Sequence, residues 1–112
     1  MKKVIIFFVL LFITLPGCSN QVGGDHFFEH IDELEQTIGQ SEWDTVTSQA
    51  EELKKMYKED KWKIQLVGDE DEYEGLDESI SNLIAAAKEE DVLNTRLELA
   101  TVKSIFEGIY SL

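Results

Sequence analysis

The sequence predicts an all-α fold, a small antiparallel four-helix bundle built from two similar αα-hairpins. Three observations predict it. Apolar residues recur at steps of three and four along four stretches, as they do on helices with one buried face. Pro16 is the last proline, and after Gly24 glycine stands only at 39, 68, 75 and 108, so few positions can break a helix. The alternation of β-branched and polar residues that marks strands is missing.

The first helix is carried by Phe27, Ile31, Leu34 and Ile38, which fall on one face. Gly39 is the expected stop, and Ser41 with Asp44 gives a capping-box-like start to the second helix. Trp43, Val46, Ala50, Leu53 and Tyr57 continue the stepping there. One step further puts Asp60 at a core position, and Trp62, Ile64, Leu66 and Val67 follow out of register, so the pattern assigns no packing to residues 60–68. The acidic run Asp69-Glu70-Asp71-Glu72 with Gly68 before it reads as a helix start, because carboxylates complement free N–H groups and the helix dipole. Tyr73, Leu76, Ile80, Leu83 and Ala87 form the third series, and Val92, Thr95, Leu99, Val102, Phe106 and Ile109 the fourth. Glu51 and Glu98 fall on outward faces.

A shift of 49 residues carries positions 27, 31, 34, 38, 43, 46, 50, 53 and 57 onto 76, 80, 83, 87, 92, 95, 99, 102 and 106, all apolar in both sets except Thr95. Periodicity alone supplies much of that agreement. The step of five from Ala87 to Val92 repeats the step from Ile38 to Trp43 and predicts a turn at Lys88-Glu89-Glu90-Asp91. A continuous helix over 70–110 is the competing reading, since those four residues carry no glycine or proline.

Ahead of the helices stands a different kind of segment. Lys2 and Lys3 precede an apolar run of about 12 residues, too short for a membrane span, which needs ~20. Leu15-Pro16-Gly17-Cys18 then resembles the lipobox of bacterial lipoproteins, although Pro16 stands where Ala, Ser or Thr is usual. The resemblance implies that the Cys18 thiol takes a diacylglyceryl group with palmitate-like chains, and that residues 1–17 are cut away. It leaves Cys18 as the new N-terminus. Residues 18–24 would then be the lipidated cysteine and a short tether, and 25–112 the helical domain. Cys18 is the sole cysteine, so no disulfide can form within the chain. Two acyl chains anchor a protein stably where one does not. The tether Ser19-Asn20-Gln21-Val22-Gly23-Gly24 reaches ~20 Å when extended. The expected location is therefore the cell membrane, lipid-anchored on its extracytoplasmic face.

The whole chain carries a net charge of −13. Without residues 1–17 it keeps 8 basic against 23 acidic side chains, a charge of −15. Such acidity argues against nucleic acid and against electrostatic docking on anionic lipid. His26 and His30, four apart beside Glu29 and Glu33, could share a helix face, but no third His or Cys closes a metal site, and no cofactor is expected. The acidic run from Asp69 fails the EF-hand pattern: the fifth position is Tyr73, the sixth Glu74 and the twelfth Ile80. With the one cysteine assigned to lipid and both histidines in a single turn, no nucleophile–base pair emerges, and the chain is not expected to be an enzyme. Lys61-Trp62-Lys63 is a basic and aromatic island in an acidic domain. Trp62 with Leu66 and Val67 is the candidate partner surface, since tryptophan is enriched at binding hot spots.

Leu34, Ile38, Trp43-Asp44 and Ala50, the late Trp62, the acidic entry to the third helix and the ending Ile105-Phe106-Glu107-Gly108-Ile109 resemble a family of short lipoproteins. That family is a helical domain of unknown function from Gram-positive, largely spore-forming bacteria. The resemblance spans nearly all of the chain after Cys18. It implies an extracytoplasmic, membrane-anchored helical domain and carries no functional residues with it. The expected role is a scaffold or accessory subunit for an unidentified membrane or surface protein. The alternative is a sensor or buffer of small cations or ligands through the acidic surface.

Overall fold

The computed structural model describes residues 24–110. Four helices follow one another: α1 (Asp25–Gly39), α2 (Trp43–Val67), α3 (Glu70–Lys88) and α4 (Val92–Tyr110). Each packs on its two neighbours in a closed ring, with the α3–α4 seam the most extensive and the α1–α4 seam the thinnest. Three short connections make every neighbouring pair antiparallel, so the up-down-up-down bundle expected from the sequence is formed.

The core is the stepped set almost residue for residue. Phe27, Ile31, Leu34 and Ile38 of α1 face Val46, Ala50, Leu53 and Tyr57 of α2, with Leu76, Ile80, Leu83 and Ala87 of α3 and Leu99, Val102, Phe106 and Ile109 of α4 closing the far side. Thr95, the one polar residue among the mapped positions, is fully buried and donates its hydroxyl to the Asp91 carbonyl at 2.6 Å, which satisfies it inside its own helix.

The two hairpins correspond in space as in spacing. Both residues of every 49-apart pair are buried, except for Trp43 and Val92. The turns match as well. Ser41 (φ 58°) and Glu90 (φ 54°) both adopt the left-handed conformation, and their numbers also differ by 49. After α3 the Asp91 N–H reaches the Ala86 carbonyl and the Glu90 N–H the Ala87 carbonyl, a Schellman closure that ends the helix without a glycine. The turn at 88–91 is thereby real, and the continuous helix over 70–110 is not formed.

α1 ends at Gly39 as expected, although the left-handed position falls two residues on, at Ser41. Three expectations are corrected. Ser41 therefore cannot cap α2, whose N-cap is Glu42 with no side-chain capping bond. Val92, expected in the core, is 41 % exposed, while its counterpart Trp43 is half-buried. Both open their helices beyond the last core layer; an indole is long enough to reach back over that layer and a valine is not. Glu98 is half-buried rather than outward.

The segment that the periodicity left unassigned is a continuation of α2. The helix runs unbroken through residues 60–67, with Ile64 fully buried one heptad beyond Tyr57. Asp60 faces α1 and accepts from His26 Nε2 at 2.8 Å. That contact is in the first turn of α1, and α2 goes on beyond it for another ~10 Å at 1.5 Å per residue. Among the described residues no helix is long and apolar enough to cross a membrane.

Candidate functional site

One end of the bundle gathers the start of α1, the end of α2, the start of α3 and the end of α4. Gly24 anchors it. Its φ of 81° is one that side-chain-bearing residues rarely adopt, and a Cβ there would stand 2.6 Å from the Tyr110 ring. The chain thus enters the domain pressed against the last turn of α4. Phe27 stacks on Phe106 (centroids 4.3 Å apart, planes 19° apart), and Tyr110 and Phe28 lie against the same pair. Gly68 lies close by the Ile109 side chain and turns the chain into α3.

The acidic run at that turn is a cap. The Asp69 carboxylate accepts from the Glu72 N–H at 3.1 Å, and the Glu72 carboxylate accepts from the Asp69 N–H at 2.9 Å, a complete capping box. The like charge of Glu70 beside it pushes the exposed Glu74 carboxyl above its ordinary range. At the opposite end the Asp91 carboxylate caps α4 by accepting from the Asn94 N–H and side-chain amide, and the N–H bond, the larger effect, holds its carboxyl below the usual range.

Trp62, Leu66 and Val67 are 61 %, 76 % and 59 % exposed. Trp62 and Leu66 lie one turn apart on a shared face. Val67 lies two turns beyond Asp60, on the flank that α1 would cover if it were longer. Lys61 bonds to Asp77 of α3 at 3.0 Å, and the Lys63 ammonium lies 5.5 Å over the Trp62 ring. These three residues make an exposed apolar stretch at the end of α2, with a lysine on each side of Trp62 in sequence, at the same end of the bundle where the chain enters the domain. The lipobox residues Leu15, Pro16, Gly17 and Cys18, and the tether to Gly23, lie outside the described residues.

The histidines do not converge. His26 reaches Asp60, while His30 Nε2 donates to the Gln49 carbonyl at 2.6 Å, so each ties α1 to a different level of α2. Among the described residues no group of three His, Cys, Asp or Glu side chains is placed to hold a metal ion.

Two surface features escaped the sequence reading. Leu93 and Leu97, 67 % and 55 % exposed and one turn apart, form an apolar strip on the outer face of α4 at the far end from Gly24. A signal was present: α4 carries more apolar residues than its core stripe uses. Lys54, Lys55, Lys58 and Lys88 line an open groove of about 600 Å³ between α2 and α3, with Glu51, Glu59 and Ile84. Three of them are adjacent or one turn apart in the sequence; Lys88 joins them only through the fold.

Tyr57 couples the core to this end. Its ring is buried and its hydroxyl donates to the Tyr73 carbonyl at 2.9 Å. Burial, and then the charge of Asp77, push its ionisation well above the ordinary tyrosine value; burial does the same for Tyr110, with Asp60 second. A folded-state value raised in this way means that the stabilisation is fully present below about pH 10 and is lost as pH rises further. Denaturant midpoints measured at about pH 8 and about pH 11 should fall for the natural chain and fall less for Tyr57→Phe, which itself costs ~0.5–1.5 kcal/mol near neutrality. An equal alkaline loss in both proteins would clear Tyr57 of any part in it.

A family model described as a domain of unknown function (DUF4363) matches residues 22–112, and the chain belongs to that family. No curated protein and no solved structure matches it.

Proposed function

We propose that this domain of unknown function is an extracytoplasmic lipoprotein, held on the outer face of the cytoplasmic membrane by a diacylglyceryl group on Cys18. On this reading it acts by binding, as an accessory subunit or scaffold for a membrane or surface protein. One observation carries the anchored placement: the exposed apolar end of α2 lies at the same end of the bundle as Gly24, where the chain arrives from Leu15-Pro16-Gly17-Cys18. A tether of ~20 Å keeps that end close to the bilayer, so Trp62, Leu66 and Val67 face whatever lies at the membrane surface. The short charged start and apolar run before the lipobox support export.

The cation-sensing alternative draws on the acidic surface alone. Asp69, Glu72 and Asp91 serve as helix caps, an arrangement unlike the six to eight converging oxygens of a tight calcium site.

Fractionation of cells expressing the full chain tests the anchor. The natural protein should partition with membranes, with the mass of an acylated chain beginning at Cys18. Cys18→Ser should be released or remain as the uncleaved precursor. An unmodified thiol on a mature chain, or membrane retention of Cys18→Ser with normal cleavage, overturns the anchor. Cross-linking in native membranes tests the binding role, which requires one reproducible membrane or surface protein in the adduct.

A further inference from the structure

Resting on that anchored reading, we infer that the exposed end of α2 seats in the lipid bilayer itself, with Trp62, Leu66 and Val67 dipping into the boundary between headgroups and acyl chains. Three observations converge on lipid as the occupant. The first is the length of chain outside the helices and where it ends. Only Ser19 to Gly23 separate Cys18 from Gly24, and Gly24 is wedged against Tyr110 at the end of the bundle that carries the exposed residues. An anchor on so short a tether holds this end against the bilayer, within ~20 Å at full stretch.

The second is the chemistry of the patch. Tryptophan with an apolar body and a polar N–H, covered by a lysine that can reach toward water, suits a membrane–water boundary. Lys63 lies over the indole ring, while Lys61, next to Trp62 in sequence, is turned to Asp77 of α3. Leu66 and Val67 extend the apolar area beyond Trp62 toward the tip.

The third is the place of the patch in the fold. α1 begins level with Asp60, so the remaining turns of α2 have one flank uncovered. Val67 continues the α1-facing stripe past the point where α1 exists. The nearby Asp69, Glu70 and Asp71 on α3 are anionic, so insertion is hydrophobic in origin and belongs to neutral lipid rather than to electrostatic attraction.

The orientation that follows is specific. Trp43 opens α2 and Trp62 stands near its close, 19 residues and ~28 Å apart along the axis. The test uses the acylated protein purified from membranes and reconstituted into phosphatidylcholine vesicles bearing nitroxide-labelled lipid. Trp43→Phe leaves Trp62 as the only indole, and Trp62→Phe leaves Trp43. Trp62 should lose most of its fluorescence to the shallow label and keep that loss in high salt, while Trp43 stays bright. Adding Leu66→Asp and Val67→Asp to Trp43→Phe should restore Trp62 emission, with helix content and vesicle flotation unchanged. A floating protein whose Trp62 is not quenched overturns the lipid contact, leaves the anchor standing and gives the surface to a protein partner. Equal quenching of Trp43 overturns it too, because the domain would then lie flat. A chain that does not float overturns the anchor and the docking together.

Discussion

Leu53→Ala or Leu99→Ala should each lower the stability of the domain by ~2–5 kcal/mol. Both side chains are essentially without solvent contact, on α2 and α4. Each alanine removes transfer free energy and leaves a cavity that the helices can close only in part. A domain of this size holds on the order of 5 kcal/mol, so either change unfolds a large fraction of molecules at body temperature. Glu51→Ala and Glu107→Ala, both on exposed faces, should stay within about 0.5 kcal/mol of the natural chain. Similar movement of the denaturant midpoints in the leucine and glutamate variants would contradict the assignment of the buried faces.

Phe106→Ala should cost more, ~3–5 kcal/mol. The ring stacks on Phe27, meets Phe28 edge-on and lies against Tyr110, and these contacts close the thinnest seam of the bundle. α1 is the shortest helix and depends on this cluster for its hold on α4. The loss should therefore appear first as faster amide exchange in α1, at denaturant concentrations where α3 and α4 stay protected. Uniform exchange across all four helices would show that the bundle opens as one unit and that the aromatic seam is no special weak point.

The helical faces were legible because periodicity records burial directly: a side chain at steps of three and four has the core beneath it for as long as a partner runs alongside. The turn at 88–91 was legible from the matching step of five. Residues 60–67 were not, since the rule assumes a neighbour along the whole helix and α1 only begins beside Asp60. The left-handed residues were also hidden. Ser41 and Glu90 hold a conformation that glycine usually takes, fixed in the second case by backbone bonds to Ala86 and Ala87 that any side chain permits. His26 and His30 looked like a pair because they share a helix face in sequence; their partners, Asp60 and Gln49, lie 34 and 19 residues away. The exposed end of α2 was legible as a composition, a tryptophan between lysines, but its position at the same end of the bundle as Gly24 needed the fold.

The left-handed turns at Ser41 and Glu90 each sit inside one of two equivalent modules, 27–57 and 76–106, whose interiors answer each other position by position. The stretch between them, 58–75, has no such counterpart. It holds the last three turns of α2, the bend at Gly68 and the capped start of α3. Substitutions on its outer side change neither module's interior, so this joint can diversify while the scaffold on both sides is held constant. A bundle assembled in this way confines novelty to one joint of its own architecture, and that joint lies at the end of the bundle where the chain enters it.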